Sequence, residues 1–255
     1  MRVINLFLNF LKPKIERLKN MARNKPGVYS FEKYAVEYTD TMSFYHEYKD
    51  IFVNRIYDFK AVRPNPVIID AGGCIGMSVL YFKKIYPDSK IIVFEPDPKI
   101  FSVLENNIKN NGLKDIITYN AGIGKENAVV RFYPDGSDGG SSYNNSGAIE
   151  IEIKVVRLSD FLDESIDMIK MNIEGMEGDV FEEIEKKLSN VREIIFEYHA
   201  FESLPQNLGK ILSILDRQNF TYLITDATNA KIPVPFVLNK NFKYFNLVYA
   251  KNRLK

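Results

Sequence analysis

The stretch Ile68-Ile69-Asp70-Ala71-Gly72-Gly73-Cys74-Ile75-Gly76 constrains the fold of this chain more than any other. An apolar run that ends on an acid and passes at once into closely spaced glycines reads as a buried strand turning sharply into a helix. The same texture continues downstream: a strand over 67–71, a helix over 75–86, a strand over 90–95, a helix over 98–111 and a strand over 116–121. Strands alternating with helices imply a doubly wound α/β architecture, with a mostly parallel sheet and helical crossovers. Further strands are expected at 128–133, 149–156, 167–173, 191–198, 220–225 and 242–250, and helices at 180–188 and 208–218. The segment 134–147 is too rich in Gly, Ser and Asn for regular structure and is expected to be a loop that closes on substrate.

Arg63-Pro64-Asn65-Pro66 marks a boundary, so we divide the chain into an upstream segment, 1–62, and a ligand-binding domain, 63–255. Between Tyr29 and Phe59 aromatic residues crowd the sequence, and their spacing predicts helices that pack as a lid over the ligand crevice. Nearer the N-terminus, Ile4, Phe7, Leu8, Leu11, Ile15 and Leu18 repeat at helical spacing among basic residues. This amphipathic helix is expected to pack on the main domain or a second copy, or to lie on a membrane surface; it is too short to span one.

The formal charge is +1, from 34 basic and 33 acidic side chains, which supplies no general field for a polyanion, and no nucleic acid is expected. Cys74 is the sole cysteine, so an internal disulfide and cysteine-rich zinc sites are excluded, and a cytoplasmic location, with membrane contact as an option, fits.

Glycines at a strand end let backbone approach a ligand closely, and the helix that follows offers free N–H groups there. Asp70 beside that loop suits a ligand carrying ammonium and sulfonium charges and would repel a pyrophosphate, which favours S-adenosylmethionine over a nicotinamide dinucleotide. Glu95, about 20 residues beyond the loop in Phe94-Glu95-Pro96-Asp97-Pro98, can accept hydrogen bonds from ribose hydroxyls. Asn120-Ala121 ends the third strand, where an adenine edge would lie. On the later strands Lys170, Asn172 and Glu174 share one side, as do Glu197 and His199, so polar groups converge at the carboxyl edge of the sheet. His199 is the first choice for a catalytic base, as a neutral imidazole near pH 7, with Glu174 second and Glu197 orienting the histidine or an acceptor hydroxyl. His46, in the aromatic segment, is more simply a packing residue. Ser141, Ser142 and Tyr143 are candidate acceptor contacts. No metal is expected, although Glu174, Glu197 and Asn172 form an oxygen-donor set that suits magnesium.

Taken together, Asp70 to Gly76, Phe94-Glu95-Pro96-Asp97-Pro98, Leu158-Ser159-Asp160-Phe161-Leu162, Ile169 to Glu177 and Phe196-Glu197-Tyr198-His199 resemble the successive motifs of the FkbM-type methyltransferases. The resemblance implies the class I methyltransferase fold, with a Rossmann-like seven-stranded sheet. It further implies S-adenosylmethionine held at Asp70, Ala71, Gly72, Gly73, Gly76, Glu95, Pro96, Asn120, Ala121 and Asn172. The implied activity is O-methylation of a hydroxyl on a sugar, glycan or secondary metabolite, with an RNA methyltransferase or a cofactor-binding module without catalysis as alternatives. One departure is Asn172, where the family pattern has Asp; an amide accepts a hydrogen bond but brings no charge.

Overall fold

The computed structural model describes residues 15, 18, 24–134, 149–201, 205–226 and 243–255. Its centre is a seven-stranded sheet. Five strands run parallel: β3 (Val67–Ala71), β4 (Lys90–Phe94), β5 (Ile116–Tyr119), β9 (Ile166–Met171) and β10 (Val191–Phe201). The remaining two are β11 (Phe220–Asp226) and β12 (Lys243–Asn252). Across the sheet the order is β11-β12-β10-β9-β3-β4-β5, with β12 antiparallel to both neighbours. The order reverses direction between β3 and β9, and such a switch point opens a crevice at the carboxyl ends of the strands.

Helices cover both faces, as a parallel sheet requires. On one side α2 (Met77–Ile85) and α3 (Pro98–Asn110) bury Val79, Phe82, Ile100 and Leu104 against Ile68, Ile91 and Ile195. On the other, α4 (Glu177–Ile184) and α5 (Leu208–Arg217) bury Phe181, Ile184, Ile211 and Leu215 against Ile69, Ile169 and Phe196. A small second sheet, in the order β6-β8-β7, joins β6 (Gly122–Gly124), β7 (Ala128–Phe132) and β8 (Ile151–Arg157). Among the described residues no helix is long and apolar enough to cross a membrane.

The upstream segment departs from expectation. Helices were expected over the aromatic run, but it begins as a hairpin of β1 (Gly27–Phe31) and β2 (Tyr34–Tyr38), paired in register from Gly27 with Tyr38 to Phe31 with Tyr34. Only then follow α1 (Thr41–Glu47), capped by the Asp40 carboxylate on Ser43 N, and a π-helical turn, Tyr48–Val53. The rings form core rather than a loose cover: Phe31, Tyr34, Phe44, Tyr45, Tyr48 and Phe52 are all buried in the same cluster as α2 and α3. Ile15 and Leu18 are buried there too; the rest of the expected N-terminal helix lies outside the described residues.

Candidate functional site

Strand β3 ends at the crevice in a turn that only glycine can make. Gly72 has φ +84°, and a Cβ there would sit 1.9 Å from the backbone oxygen of Asn172. A Cβ on Gly73 would meet Val93 Cγ2 at 2.3 Å, and Gly76, at φ +93°, opens α2. The loop is tied to the neighbouring strand by Gly72 and Gly73 N–H groups donating to Phe94 O at 3.0 and 2.8 Å. Ala71 O accepts from Asn172 N at 2.9 Å, so the tips of β3 and β9 are locked together.

The acid at the tip of β3 is not the open carboxylate expected from sequence. Asp70 is fully buried; Ser78 Oγ donates to its Oδ2 at 2.5 Å, and Lys170 Nζ lies 3.1 Å from its Oδ1. Lys170 also donates to Gly72 O and sits 5.6 Å from the Tyr57 ring centre. Burial works against its charge, but Asp70 together with Glu197 outweighs burial and holds the ammonium more basic than usual. Asp70 therefore acts as a partner to an internal cation, and its charge is not available to repel or attract a ligand unopposed.

Glu95 stands at the tip of β4, 7% exposed, with Oε2 accepting from Cys74 N and Oε1 from Asp97 N, each at 2.9 Å. Burial raises its carboxyl to about 7, against the pull of those two backbone donors. Asn120, at the end of β5, donates to Glu95 O and Pro96 O at 2.9 and 3.1 Å and fixes that corner, beside buried Ala121. Asn172 Oδ1 is buried and makes no hydrogen bond among the described residues. A glycine turn without room for side chains, a buried strand-end acid and an unsatisfied amide oxygen fit an adenosyl ligand with an amino-acid tail.

Beyond β9 the chain turns through Glu174 (φ +53°) and Gly175 (φ +101°). Left-handed backbone at a glutamate is unfavourable by about 1 kcal/mol and needs neighbours to hold it. His199, 6% exposed on β10, provides one: its Nε2 lies 3.5 Å from Glu174 Oε1, and its Nδ1 lies 2.9 Å from Glu177 Oε1. Burial pulls the imidazole down, but Glu177 and Glu174 override it and raise it to about 9. These two carboxylates favour the protonated ring over the neutral base expected at His199. Two residues earlier on the same face of β10, Glu197 Oε1 accepts from Tyr57 Oη at 2.8 Å.

The structure therefore brings Asp70, Lys170, Glu197, His199 and Glu174 to one edge, next to the glycine turn, Glu95 and Asn172. His46 is exposed on α1 and stays apart, packing edge-on against Tyr45. Ser141, Ser142 and Tyr143 lie outside the described residues. Sequence reasoning gave no site role to Glu177, named only as the end of the run Ile169 to Glu177; it is buried and holds the turn, accepting from Ile173 N and Gly175 N. It also missed Tyr57, for which the sequence offers no signal beyond an aromatic residue upstream of the domain. Among the described residues no group of three or more His, Cys, Asp or Glu is arranged to hold a metal ion.

A seven-stranded sheet of this order, with a glycine turn after its central strand and an acid ending the next, defines a class I methyltransferase fold. The family description "Methyltransferase FkbM domain" matches residues 70–222, well over half of the chain, and the chain belongs to that family. Among relatives, Methyltransferase 1 of Beauveria bassiana is 32% identical over 159 residues, covering 52% of this chain and 64% of that one; the chain thus spans just under two thirds of its length. The 31-O-demethyl-FK506 methyltransferase FkbM of Streptomyces tacrolimicus is 27% identical over 213 residues, covering 68% and 80% of the two chains. The crystal structure of methyltransferase FkbM from Methylobacillus flagellatus shares the fold, with a TM-score of 0.50 and 15% identity over 94% of this chain and 58% of that one.

Proposed function

We propose that this chain is an S-adenosylmethionine-dependent O-methyltransferase acting on a hydroxyl of a sugar, glycan or secondary metabolite. One observation carries the reading: a cofactor-type wall (Gly72, Gly73, Glu95, Asn172) and an acceptor-type wall (Glu174, Glu197, His199) meet at a single sheet edge. The name of the Streptomyces relative, an O-methyltransferase, supports oxygen as the acceptor atom.

When bound, the cofactor supplies an electrophilic methyl group on a sulfonium. The chain's own part is placement and proton handling. Gly72 and Gly73 leave backbone open for close approach, while Lys170 keeps the turn rigid by gripping Gly72 O and neutralising Asp70. Glu95 would accept from ribose hydroxyls, and Asn172 Oδ1 is an unused acceptor for the amino-acid tail. Holding the acceptor oxygen in line with the transferred methyl supplies much of the rate. A hydroxyl must also lose its proton, and the carboxylates of Glu174 and Glu197, at the same sheet edge, are the groups that would receive it.

The test is incubation of the purified chain with S-adenosylmethionine and fractionated acceptors, reading the mass gain of one methyl group. An RNA acceptor, or cofactor binding with no acceptor methylated, would replace this reading by one of its alternatives.

A further inference from the structure

Both ring nitrogens of His199 face carboxylates, Nδ1 toward Glu177 at 2.9 Å and Nε2 toward Glu174 at 3.5 Å. A base needs a ring lone pair aimed at the acceptor, whereas here a lone pair on either nitrogen would confront a negative oxygen. The doubly protonated ring satisfies both sides at once. Its surroundings agree element by element. Helix α4 presents Glu177 and the turn after β9 presents Glu174. Strand β10 itself carries Glu197, and β12 places Phe245 edge-on to the ring, with ring centres 4.9 Å apart. The cation on β9, Lys170, is engaged by Asp70. Glu177, 1% exposed, also accepts through Oε1 from Gly175 N at 3.2 Å and Ile173 N at 3.4 Å, so the oxygen that faces Nδ1 is already placed as an acceptor. Glu174 is the more open end of this chain of contacts, its side chain 24% exposed, and it occupies a backbone conformation it would not choose alone.

Building on the proposed methyl transfer, we infer that His199 is a positioning residue. It is a buried imidazolium, anchored by Glu177, that holds the Glu174 carboxylate at the crevice, and Glu174 takes the acceptor's proton. In that step the acceptor O–H bond breaks and its proton passes to Glu174 as the O–CH3 bond forms. The S–CH3 bond pair returns to sulfur, leaving a neutral thioether, and Glu174 then releases the proton to solvent. His199 keeps both ring protons throughout.

The chain has two histidines, which makes the ring directly visible. The full chain labelled with 15N in histidine is titrated by NMR from pH 5.5 to 9.5, with His46→Gln assigning the two rings. The inference predicts that the His199 ring stays doubly protonated beyond pH 8, and that Glu177→Gln lowers its midpoint by about one pH unit or more. A His199 ring that titrates near the ordinary histidine value in the unaltered chain would overturn it. With an acceptor that turns over, a base at His199 requires turnover to rise through the measured midpoint, whereas a positioning cation requires it to fall; a rise would also overturn the inference. If S-adenosylmethionine binds but no acceptor is methylated, the O-methyltransferase reading fails, while the titration still decides the state of His199.

Discussion

Gly72 shows how one residue can commit a fold to a ligand. Its missing side chain leaves the space in which the tips of β3 and β9 meet, and its positive φ sets the direction in which the chain leaves the sheet. Gly72→Ala should therefore cost more than about 3 kcal/mol or prevent folding, through a clash with backbone that cannot retreat. Gly112 also has a positive φ, but nothing lies within 4 Å of its would-be Cβ, so Gly112→Ala should cost only about 1 kcal/mol. Urea unfolding of the two variants separates the steric from the conformational share. Glu95 makes a second prediction. Its carboxyl, raised by burial to about 7, must be ionised to accept from two ribose hydroxyls, so affinity for S-adenosylhomocysteine should tighten about tenfold between pH 6 and pH 8. Glu95→Gln should bind more weakly and with a flat pH profile, measured by calorimetry. These residues were legible because the glycine turn and the strand-end acid are local patterns. The pairing of Asp70 with Lys170 was not, since it joins residues a hundred positions apart whose meeting depends on β3 and β9 being neighbours.

At the scale of elements, the alternation from β3 to β5 was readable because each strand is a short apolar run and each helix carries an apolar stripe. The hairpin was hidden for an equally physical reason. Phe31, Tyr34, Tyr38, Tyr45, Tyr48 and Phe52 fall at intervals of three, four and seven, which imitate a helical stripe, although the first three belong to two strands joined at Glu32-Lys33. That turn lacks the Gly or Asn that would announce it; Glu32 takes φ +49° instead. The hairpin is docked by two asparagines one turn apart, Asn107 on α3 and Asn111 at its C-terminal cap. Asn107 accepts from Glu37 N and donates to Glu37 O and Ile75 O, while Asn111 accepts from Ala35 N and donates to Ala35 O, all within 2.8 to 2.9 Å. The two amides thus take the place of a neighbouring strand along the free edge of β2. Asn107→Ala should destabilise by about 2 kcal/mol, because buried backbone groups lose their partners. Hydrogen exchange should show the extra opening concentrated in β1 and β2.

For the whole molecule, the two groups of the site whose raised values fall between pH 6 and pH 9 act in the same direction. His199, raised to about 9, contributes stability that is fully present below its ordinary value near 6.5 and is lost as pH rises through 9. Glu95 likewise favours the fold when protonated, and that contribution is lost as pH rises through about 7. The ligand-free chain should therefore lose melting temperature steadily from pH 6 to pH 9, and His199→Gln should flatten the upper part of that slope. A ligand that draws on ionised Glu95 would offset part of the loss, which ties stability to occupancy of the site. The most direct measurement is calorimetric titration of the purified chain and of Glu95→Ala with S-adenosylhomocysteine at pH 8. The account predicts one-to-one binding by the unaltered chain and a loss of about thirtyfold or more in the variant, the worth of two hydrogen bonds to a buried carboxylate. Absence of heat from the unaltered chain, or equal affinity in the two, would contradict it.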